Sequence, residues 1–364
     1  MSHPLPTRAP KPTLGTRRSD SPPVDRGPRD NAPPRVGLAL SAGGARGLAH
    51  VGVIQILEEH GIPVHAVAGT SMGAYVGSLW AAGLKGDRLE ELASEIKTRR
   101  DFRRLADYNI PPLTGLIHGR RMRAHLMRDL GERCFTDLER DFYAVACDLD
   151  SYTKVVLRDG LVADAVLASC AIPGVVVPVR LGGRRLVDGG VVDPLPVSVL
   201  RHLAAVDVVI AVNVVPTVAD VRRCARRNDH HLPDRPSPWR RLLAAVNHRL
   251  NLFAPGNVLD TFERSLRAAQ VRLAEVAARR ADVHLHPVFC DASWKDYENF
   301  EKYIDLGRRL ATGHLPALRA LTLPAPAAAA GATSRRPGRA TKPASGGNGA
   351  ATAAVILTEP PILS

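Results

Sequence analysis

The sequence predicts an α/β protein of three layers, with helices covering both faces of a mostly parallel central sheet. Two observations carry this prediction. The apolar run Val36–Leu40 and a second run ending at Gly69 each lead through a turn of small residues into a helical pattern. Two successive strand–turn–helix units imply parallel strands joined by right-handed crossovers. Both turns should therefore emerge at the same carboxyl edge of the sheet, as neighbours.

Composition places the folded part in the middle of the chain. The 364 residues would suffice for two domains. Residues 1–34, however, are rich in proline and arginine, and residues 321–364 are rich in alanine, proline and glycine. Neither end buries enough apolar surface to offset the entropy lost on ordering. We expect two disordered tails around a single domain over residues 35–320.

The chain is basic, with a formal net charge of +13. The tails supply part of this charge, but arginine pairs such as Arg99-Arg100 and Arg120-Arg121 lie inside the predicted domain. A basic surface suits nucleic acid or anionic lipid head groups. It is equally typical of a solvated face, so charge alone does not choose a partner.

The cysteine pattern predicts neither a disulfide framework nor a zinc site, because the five cysteines are scattered and form no Cys-x-x-Cys pair. They are Cys134, Cys147, Cys170, Cys224 and Cys290. A reducing cytoplasm fits this pattern. No apolar run is long enough for a signal peptide or a membrane span. The prediction is a soluble cytoplasmic protein, or a peripheral one on the inner membrane face.

A glycine-rich loop, Ser41-Ala42-Gly43-Gly44-Ala45-Arg46-Gly47, separates the first strand from a predicted helix running from Leu48 to His60. Such a loop directs backbone N–H groups and the positive end of a helix dipole at one point, where a negative oxygen is stabilised. It lacks the Gly-Lys-Ser/Thr ending of a P-loop, and Ala42 replaces the first glycine of a dinucleotide fingerprint. An oxyanion is therefore favoured over a nucleotide phosphate.

The second turn, Gly69-Thr70-Ser71-Met72-Gly73, is typical of a nucleophile elbow. An elbow holds its serine in a strained conformation with the hydroxyl pointing outward, and the strand and helix approach too closely for a Cβ at Gly69 or Gly73. A Gly-x-Ser-x-Gly pentapeptide also arises by chance. The apolar strand before it and the helical pattern after it favour a serine nucleophile at Ser71.

The remaining elements are predicted from apolar periodicity and turn signals. Residues 101–134 are basic and irregular, and we expect them to form a cap or lid. Asp188-Gly189 is expected to join a pair of strands, where the aspartate by itself is explained as a tight-turn residue. The other expected elements are a helix with a capping box at Asp87-x-x-Glu90, strands at 142–147, 154–157, 206–215 and 282–286, and helices at 162–173, 260–279 and 295–310.

Four sequence blocks together resemble, in order and spacing, those of the patatin-like phospholipase family, in its bacterial branch. The blocks are Gly43-Gly44-Ala45-Arg46-Gly47, Gly69-Thr70-Ser71-Met72-Gly73, Ala168-Ser169-Cys170-Ala171-Ile172-Pro173 and Asp188-Gly189-Gly190. The resemblance is best over residues 36–215, and it implies a three-layer patatin-like fold with a mostly parallel sheet. Ser41-Ala42 departs from the glycine run of the family, which puts catalytic efficiency in doubt more than mechanism.

The resemblance also implies residue roles and an activity. Ser71 matches the nucleophile and Asp188 the proton acceptor of a catalytic dyad. The positions that match the oxyanion hole are Gly43, Gly44, Ala45 and Arg46, and those that complete the elbow and the aspartate motif are Gly69, Gly73, Gly189 and Gly190. The implied reaction is hydrolysis of acyl esters of phospholipids or lysophospholipids through an acyl-enzyme, with no metal and no cofactor.

A serine–aspartate dyad makes a physical demand on the fold. An ordinary aspartate, with a pKa of about 3.9, is a poor base for a serine hydroxyl. Asp188 must therefore be desolvated and held against Ser71. A Ser-His-Asp triad in α/β-hydrolase order remains an alternative, as does a non-catalytic lipid-binding scaffold. The histidines that could complete a triad are His202, His230, His231, His248, His284, His286 and His314.

Residues 239–253 suggest how the protein could reach lipid. Trp239, Leu242 and Leu243 fall on one helical stripe, and Arg240 and Arg241 lie off it. Such a helix suits the interface of an anionic membrane. The same pattern is typical of a core-facing helix whose arginines are solvated. Nucleic acid is not expected as a partner, and the sequence leaves head group, acyl chain and oligomeric state open.

Overall fold

The computed structural model describes the ranges 33–95, 101, 104–109, 114–228, 258–287 and 296–321. All of them fall within one compact unit of the chain. The amphipathic segment 239–253 lies outside the described residues, as do the predicted tails apart from the residues beside the domain. Among the helices of these ranges, none combines the length and apolar character that a membrane-spanning segment requires.

Within the described ranges, the centre of the fold is an eight-stranded mixed sheet, whose order is β5-β6-β3-β2-β1-β7-β8 with β4 paired to β3. Strands β3, β2, β1, β7 and β8 run parallel, and β4, β5 and β6 pair antiparallel at one side. The strands are β1 Val36–Leu40, β2 Ala66–Thr70, β3 Asp141–Asp148, β4 Lys154–Leu157, β5 Val179–Leu181, β6 Arg184–Asp188, β7 Val208–Val212 and β8 Val283–Leu285. The predicted α/β class with a mostly parallel sheet is confirmed.

Burial on both faces explains why the central strands are continuously apolar. In β1, Leu38 and Leu40 pack into one core cluster, whereas Ala39 between them packs into another. This alternation is the two-residue period of a strand. The sheet therefore carries two separate cores, one on each face, which gives the three layers.

Helices cover the two faces unequally. They are α1 Ala49–Glu59, α2 Met72–Ala81, α3 Gly86–Ser94, α4 Arg120–Leu130, α5 Val162–Ser169, α6 Val197–Leu203, α7 Val218–Asn228, α8 Val258–Ala278, α9 Phe300–Gly313 and α10 Leu315–Ala320. Helices α1 to α5, α9 and α10 contribute side chains to the core that contains Leu38 and Leu40. Helices α6 and α8 contribute to the core that contains Ala39.

Three local predictions are wrong. Asp188-Gly189 does not join two strands: β6 ends at Asp188 and a 3₁₀ turn, Gly189–Val191, follows it. The hairpin instead joins β5 to β6 through Gly182 and Gly183, which both have positive φ and so supply the turn. Helix α3 begins without a side-chain cap. The region expected to be irregular contains the regular helix α4, which buries Leu126 and Leu130 one turn apart.

The helix predicted to reach Pro173 also ends early. Helix α5 stops at Ser169, because the amide of Cys170 closes the last turn and the chain then leaves the helical conformation.

The expectation that the cysteines form no disulfide is also wrong. Cys224, on α7, is disulfide-bonded, whereas Cys134, Cys147 and Cys170 are free. A disulfide needs two Cβ atoms at about 4 Å, a distance set by tertiary packing that sequence spacing does not report. The predicted reducing compartment, which was inferred from unpaired cysteines, loses that support.

The contact between α1 and α9 is a close backbone approach through two glycines. A Cβ on Gly52 of α1 would overlap the carbonyl oxygen of Ile304, and a Cβ on Gly307 of α9 would overlap that of Ala49. These neighbours are backbone atoms of packed helices, so neither can move aside cheaply. The spacing of this helix layer therefore depends on both glycines.

We expect Gly307→Ala to destabilise the protein by about 2 to 3 kcal/mol, because the added methyl group must push two helices apart. Gly313→Ala in the same helix is the matched control, since its Cβ would meet no atom within 4 Å. Thermal denaturation of both variants measures the difference. Equal melting temperatures for the two variants would contradict this account of the contact.

Candidate active site

Ser71 lies at the junction between β2 and α2, with φ 55° and ψ −121°. This left-handed conformation is costly for a residue with a side chain. The turn is tight because a Cβ on Gly69 would overlap the carbonyl of Gly73, and a Cβ on Gly73 would overlap that of Leu40. The local geometry is that of a strand-to-helix elbow with Ser71 at its turn.

The Ser71 hydroxyl donates a hydrogen bond to Asp188, with 2.6 Å between Oγ and Oδ2. The other carboxylate oxygen, Oδ1, accepts the N–H of Gly190 at 2.7 Å. Strand β6 pairs antiparallel with β3, whose carboxyl end adjoins that of β2, and this pairing brings two residues far apart in the chain together. A Cβ on Gly189 would overlap the carbonyl of Val145, so the turn after Asp188 also needs glycine.

The Asp188 carboxyl is buried, with 5% of the residue exposed. Burial disfavours the charged form and raises the pKa of Asp188 to about 6, although the hydrogen bonds from Ser71 and Gly190 partly oppose this. A carboxylate with a raised pKa binds a proton more strongly. It is therefore a better acceptor for a serine proton than an exposed aspartate would be.

Ser169, at the end of α5, holds the elbow in place. Its Oγ accepts the backbone N–H of Ser71 at 2.9 Å and donates to the carbonyl of Val145 at 2.6 Å. The Ser71 amide is thus already occupied and is not available to an oxyanion. The sequence placed Ser169 in a motif without giving it a role, and nothing in its spacing indicates this long-range contact.

The glycine-rich loop forms a 3₁₀ turn, Gly44–Leu48, which begins after Gly43. The first amides of a helical turn have no acceptor inside it. Within the described part of the chain, the N–H groups of Gly43 and Gly44 make no other hydrogen bond. These two amides are therefore free to bind an anionic oxygen. Ala45, the next residue, is fully buried in the turn.

Two side chains whose structural roles the sequence did not predict fix this loop. Ser41 accepts the amide of Val214 at 2.9 Å, which ties the start of the loop to the end of β7. His50 on α1 donates from Nε2 to the carbonyl of Ser41 at 2.9 Å. Burial lowers the pKa of His50 to about 4, so the ring is neutral at pH 7. Ser41, where the family pattern expects glycine, thus anchors the loop.

A cleft of about 90 Å³ joins the elbow and the loop. Five sequence-predicted residues line it: Gly43, Gly44, Arg46, Ser71 and Asp188. Its opposite wall is α8, through Glu263, Leu266, Arg267 and Gln270. From the sequence, this helix was expected only as part of a covering layer. The signal was present, because these four residues fall at positions i, i+3, i+4 and i+7 and so share one helix face.

Histidines do not take part in the dyad within the described residues, where none hydrogen-bonds to Ser71 or Asp188. His202 and His314 contact carbonyls of their own helices, and His286 contacts Asp220 and the carbonyl of Asn213. His230, His231 and His248 lie outside the described residues. In the same ranges, no group of three or more His, Cys, Asp or Glu side chains could hold a metal ion.

Comparison with known proteins identifies one family model and several similar proteins. Residues 38–201 match the family model described as patatin-like phospholipase. An uncharacterised NTE family protein of Mycobacterium tuberculosis is 40% identical over 202 residues, which cover 55% of this chain and 54% of that protein. A lysophospholipase NTE1 of Candida albicans is 32% identical over 180 residues, 48% of this chain and 13% of that protein. The chain thus spans about half the length of the mycobacterial relative.

Among solved structures, VipD from Legionella pneumophila aligns with a TM-score of 0.42 and 12% identity. The alignment covers 79% of this chain and 68% of VipD.

The buried Asp188 carboxyl predicts a stability effect with a defined sign. Its folded-state pKa of about 6 exceeds the ordinary value of 3.8, so the native state holds this proton more tightly than the unfolded state. Its contribution to stability is present below pH 4 and is lost as pH rises through about 6. The neutral amide of Asp188→Asn does not titrate, so this variant does not lose stability as pH rises through about 6.

The melting temperature of Asp188→Asn minus that of the wild type should therefore increase by a few degrees between pH 4 and pH 8. Thermal denaturation at a series of pH values measures this difference. Asp159→Asn, which changes an exposed aspartate, is the control and should show no such trend. A difference that is constant or falls with pH would mean that the Asp188 pKa is not raised.

Proposed function

We propose, from the match of residues 38–201 to the patatin-like phospholipase family model, that the chain is a serine hydrolase of phospholipid or lysophospholipid acyl esters. The observation that carries the proposal is the 2.6 Å hydrogen bond from Ser71 to Asp188 at the floor of a cleft. Nucleophile, proton acceptor and amide donors together are what acyl transfer requires.

The first step in this proposal is attack on the ester. Asp188 takes the proton from Ser71 as Oγ bonds to the carbonyl carbon, and the carbonyl oxygen becomes an anion. The amides of Gly43 and Gly44 are the available donors for that oxygen, because no acceptor within the described residues occupies them. Arg46 in the same loop adds positive charge beside them.

The second step is release and hydrolysis. The tetrahedral intermediate collapses, the ester C–O bond breaks, and Asp188 returns its proton to the departing alcohol. Asp188 then removes a proton from water, which attacks the acyl group on Ser71. Release of the fatty acid restores the Ser71 hydroxyl and leaves Asp188 as the carboxylate. One carboxyl group thus acts as base and acid in turn, which its raised pKa favours.

Two alternatives are less well supported. A Ser-His-Asp triad would need a histidine next to Asp188, whose two oxygens are occupied by Ser71 and Gly190. A non-catalytic lipid-binding scaffold would retain neither a strained Ser71 backbone nor a buried Asp188 carboxyl, since both features destabilise the fold.

The substrate class rests on the family match and on the name of one relative, the lysophospholipase NTE1 of Candida albicans. The cytoplasmic or peripheral location remains part of the proposal. So does docking on anionic membranes through Trp239, Leu242, Leu243, Arg240 and Arg241, which lie outside the described residues.

We expect Ser71→Ala and Asp188→Asn each to lower kcat for a p-nitrophenyl acyl ester by about a thousandfold or more. The double variant should be no worse than either single variant, because the two groups act as one unit. Ser265→Ala, which removes an exposed hydroxyl from α8, is the matched control and should retain activity. Substantial activity in Ser71→Ala would eliminate this serine as the nucleophile.

The pH dependence of kcat/KM should report the proton acceptor. Activity should rise as pH increases through about 6, because Asp188 accepts the serine proton only as the carboxylate. Initial rates on a soluble ester between pH 4.5 and 8.5, corrected for spontaneous hydrolysis, give the profile. A transition near pH 7 that vanishes on mutation of a histidine would indicate a triad instead.

A further inference from the structure

A short segment behind the dyad contacts all three parts of the candidate site through its backbone. This support segment is Asp193-Pro194, which lies just after the 3₁₀ turn that follows β6. The Thr70 hydroxyl donates to the carbonyl of Asp193 at 2.8 Å. The Asp193 amide donates to the carbonyl of Gly189 at 2.8 Å, and the carbonyl of Pro194 accepts the amide of Ala42 at 2.8 Å. One dipeptide thus joins the three loops of the site.

Each of the three partners is next to a catalytic group in the chain. Thr70 directly precedes the nucleophile, Gly189 directly follows the proton acceptor, and Ala42 directly precedes the free amides of the glycine-rich loop. The groups that meet in the reaction therefore share one support behind them. A shift of the support segment would change the spacing of all three groups. Misplacement of a catalytic group by about 1 Å can lower a rate by about a hundredfold.

The Thr70 hydroxyl links a strand to a loop that the sheet does not hold. Strand β2 is fixed by its own ladders to β1 and β3, so its pairing does not need this side chain. The chain after Asp188, in contrast, has left the ladder between β6 and β3. Thr70 is fully buried, and a buried hydroxyl and a carbonyl that pair with each other avoid the cost of unsatisfied polar atoms. The hydrogen bond thus holds the support segment against the elbow.

Lys154 holds the support segment from the other side. Its ammonium group donates to Oδ2 of Asp193 and to Oγ of Ser198, both at 2.9 Å, and the Ser198 hydroxyl donates to the same Oδ2 at 3.2 Å. Only 29% of the Lys154 side chain and 10% of the Asp193 side chain are exposed, so salt screens this ion pair weakly. Lys154 lies on β4, whose partner β3 also pairs with β2 and β6. The ion pair therefore ties the support segment to the strand between the two dyad residues.

We propose that Thr70 and Lys154 are positioning residues. They hold the support segment, and through it the hydrogen bond between Ser71 and Asp188 and the start of the glycine-rich loop, in the geometry that the reaction needs. This inference rests on the proposed hydrolase function and adds two residues that do not line the cleft. Loss of either contact should therefore slow turnover and leave substrate binding unchanged.

The first test compares two substitutions of Thr70. Thr70→Val keeps the branched shape and removes the hydroxyl, so kcat for a p-nitrophenyl acyl ester should fall about thirtyfold at an unchanged KM. Thr70→Ser keeps the hydroxyl and should retain most of the activity. The inference fails if Thr70→Val turns over at the wild-type rate. It also fails if Thr70→Ser is as slow as Thr70→Val, because the effect would then come from packing of the methyl group.

The second test removes the ammonium group at the far side of the support segment. Lys154→Met keeps most of the side-chain length and should lower kcat about tenfold, again without a change in KM. Lys302→Met, which removes an exposed lysine from α9, is the matched control and should retain activity. Wild-type kcat in Lys154→Met, or a rise in KM that accounts for its loss of kcat/KM, would contradict a positioning role for Lys154.

Hydrogen exchange separates this inference from the proposed function. If the wild type hydrolyses no acyl ester, the hydrolase proposal fails, but the contact of Thr70 with the support segment is still measurable. By mass spectrometry, amides of residues 189–193 should exchange about tenfold faster in Thr70→Val than in the wild type or Thr70→Ser. Amides of α9 should exchange equally in all three proteins, which controls for global stability. Equal exchange of residues 189–193 in all three proteins overturns the inference, whatever the activities are.

Discussion

The buried hydrogen bond between Ser71 and Asp188 is the interaction around which the rest of this structure is arranged. It joins the carboxyl end of a parallel strand to the end of an antiparallel one, and it exists only because β3 lies between them and pairs with both. Both oxygens of the carboxyl group have donors, so the group can be buried without an unsatisfied atom. Burial removes most of the carboxyl from solvent, and its proton affinity rises as a result.

Close contacts between backbone segments hold Ser71 and Asp188 in this geometry. Glycines at positions 69, 73 and 189 allow backbone atoms to approach where a Cβ would collide. Ser169 secures the amide of the strained serine, and Ser41 with His50 secures the facing loop. The positive φ of Ser71 and the buried Asp188 carboxyl both cost free energy. Several hydrogen bonds and tightly packed helices together offset that cost. Such a site is held rigid before any substrate arrives, which is what electrostatic stabilisation of an oxyanion needs.

The sequence predicted the parallel part of the fold well, because strands buried on both faces and small-residue turns leave strong local signals. It predicted Ser71 from local pattern alone. A catalytic role for Asp188 could be assigned only through the family resemblance, since its local sequence is equally typical of a tight turn. Ser169, the α8 wall and the disulfide at Cys224 escaped prediction because each depends on contacts between distant segments. Of these, only α8 carried a usable signal, in the spacing of Glu263, Leu266, Arg267 and Gln270.

The central claim is that a buried carboxyl group alone activates Ser71, and covalent labelling tests it most directly. A fluorophosphonate probe should modify the intact protein once, and peptide mass spectrometry should place the adduct on Ser71. The labelling rate should fall below pH 6 and be lost in Asp188→Asn. An adduct elsewhere, or Ser71 labelling at the wild-type rate in Asp188→Asn, would contradict the dyad.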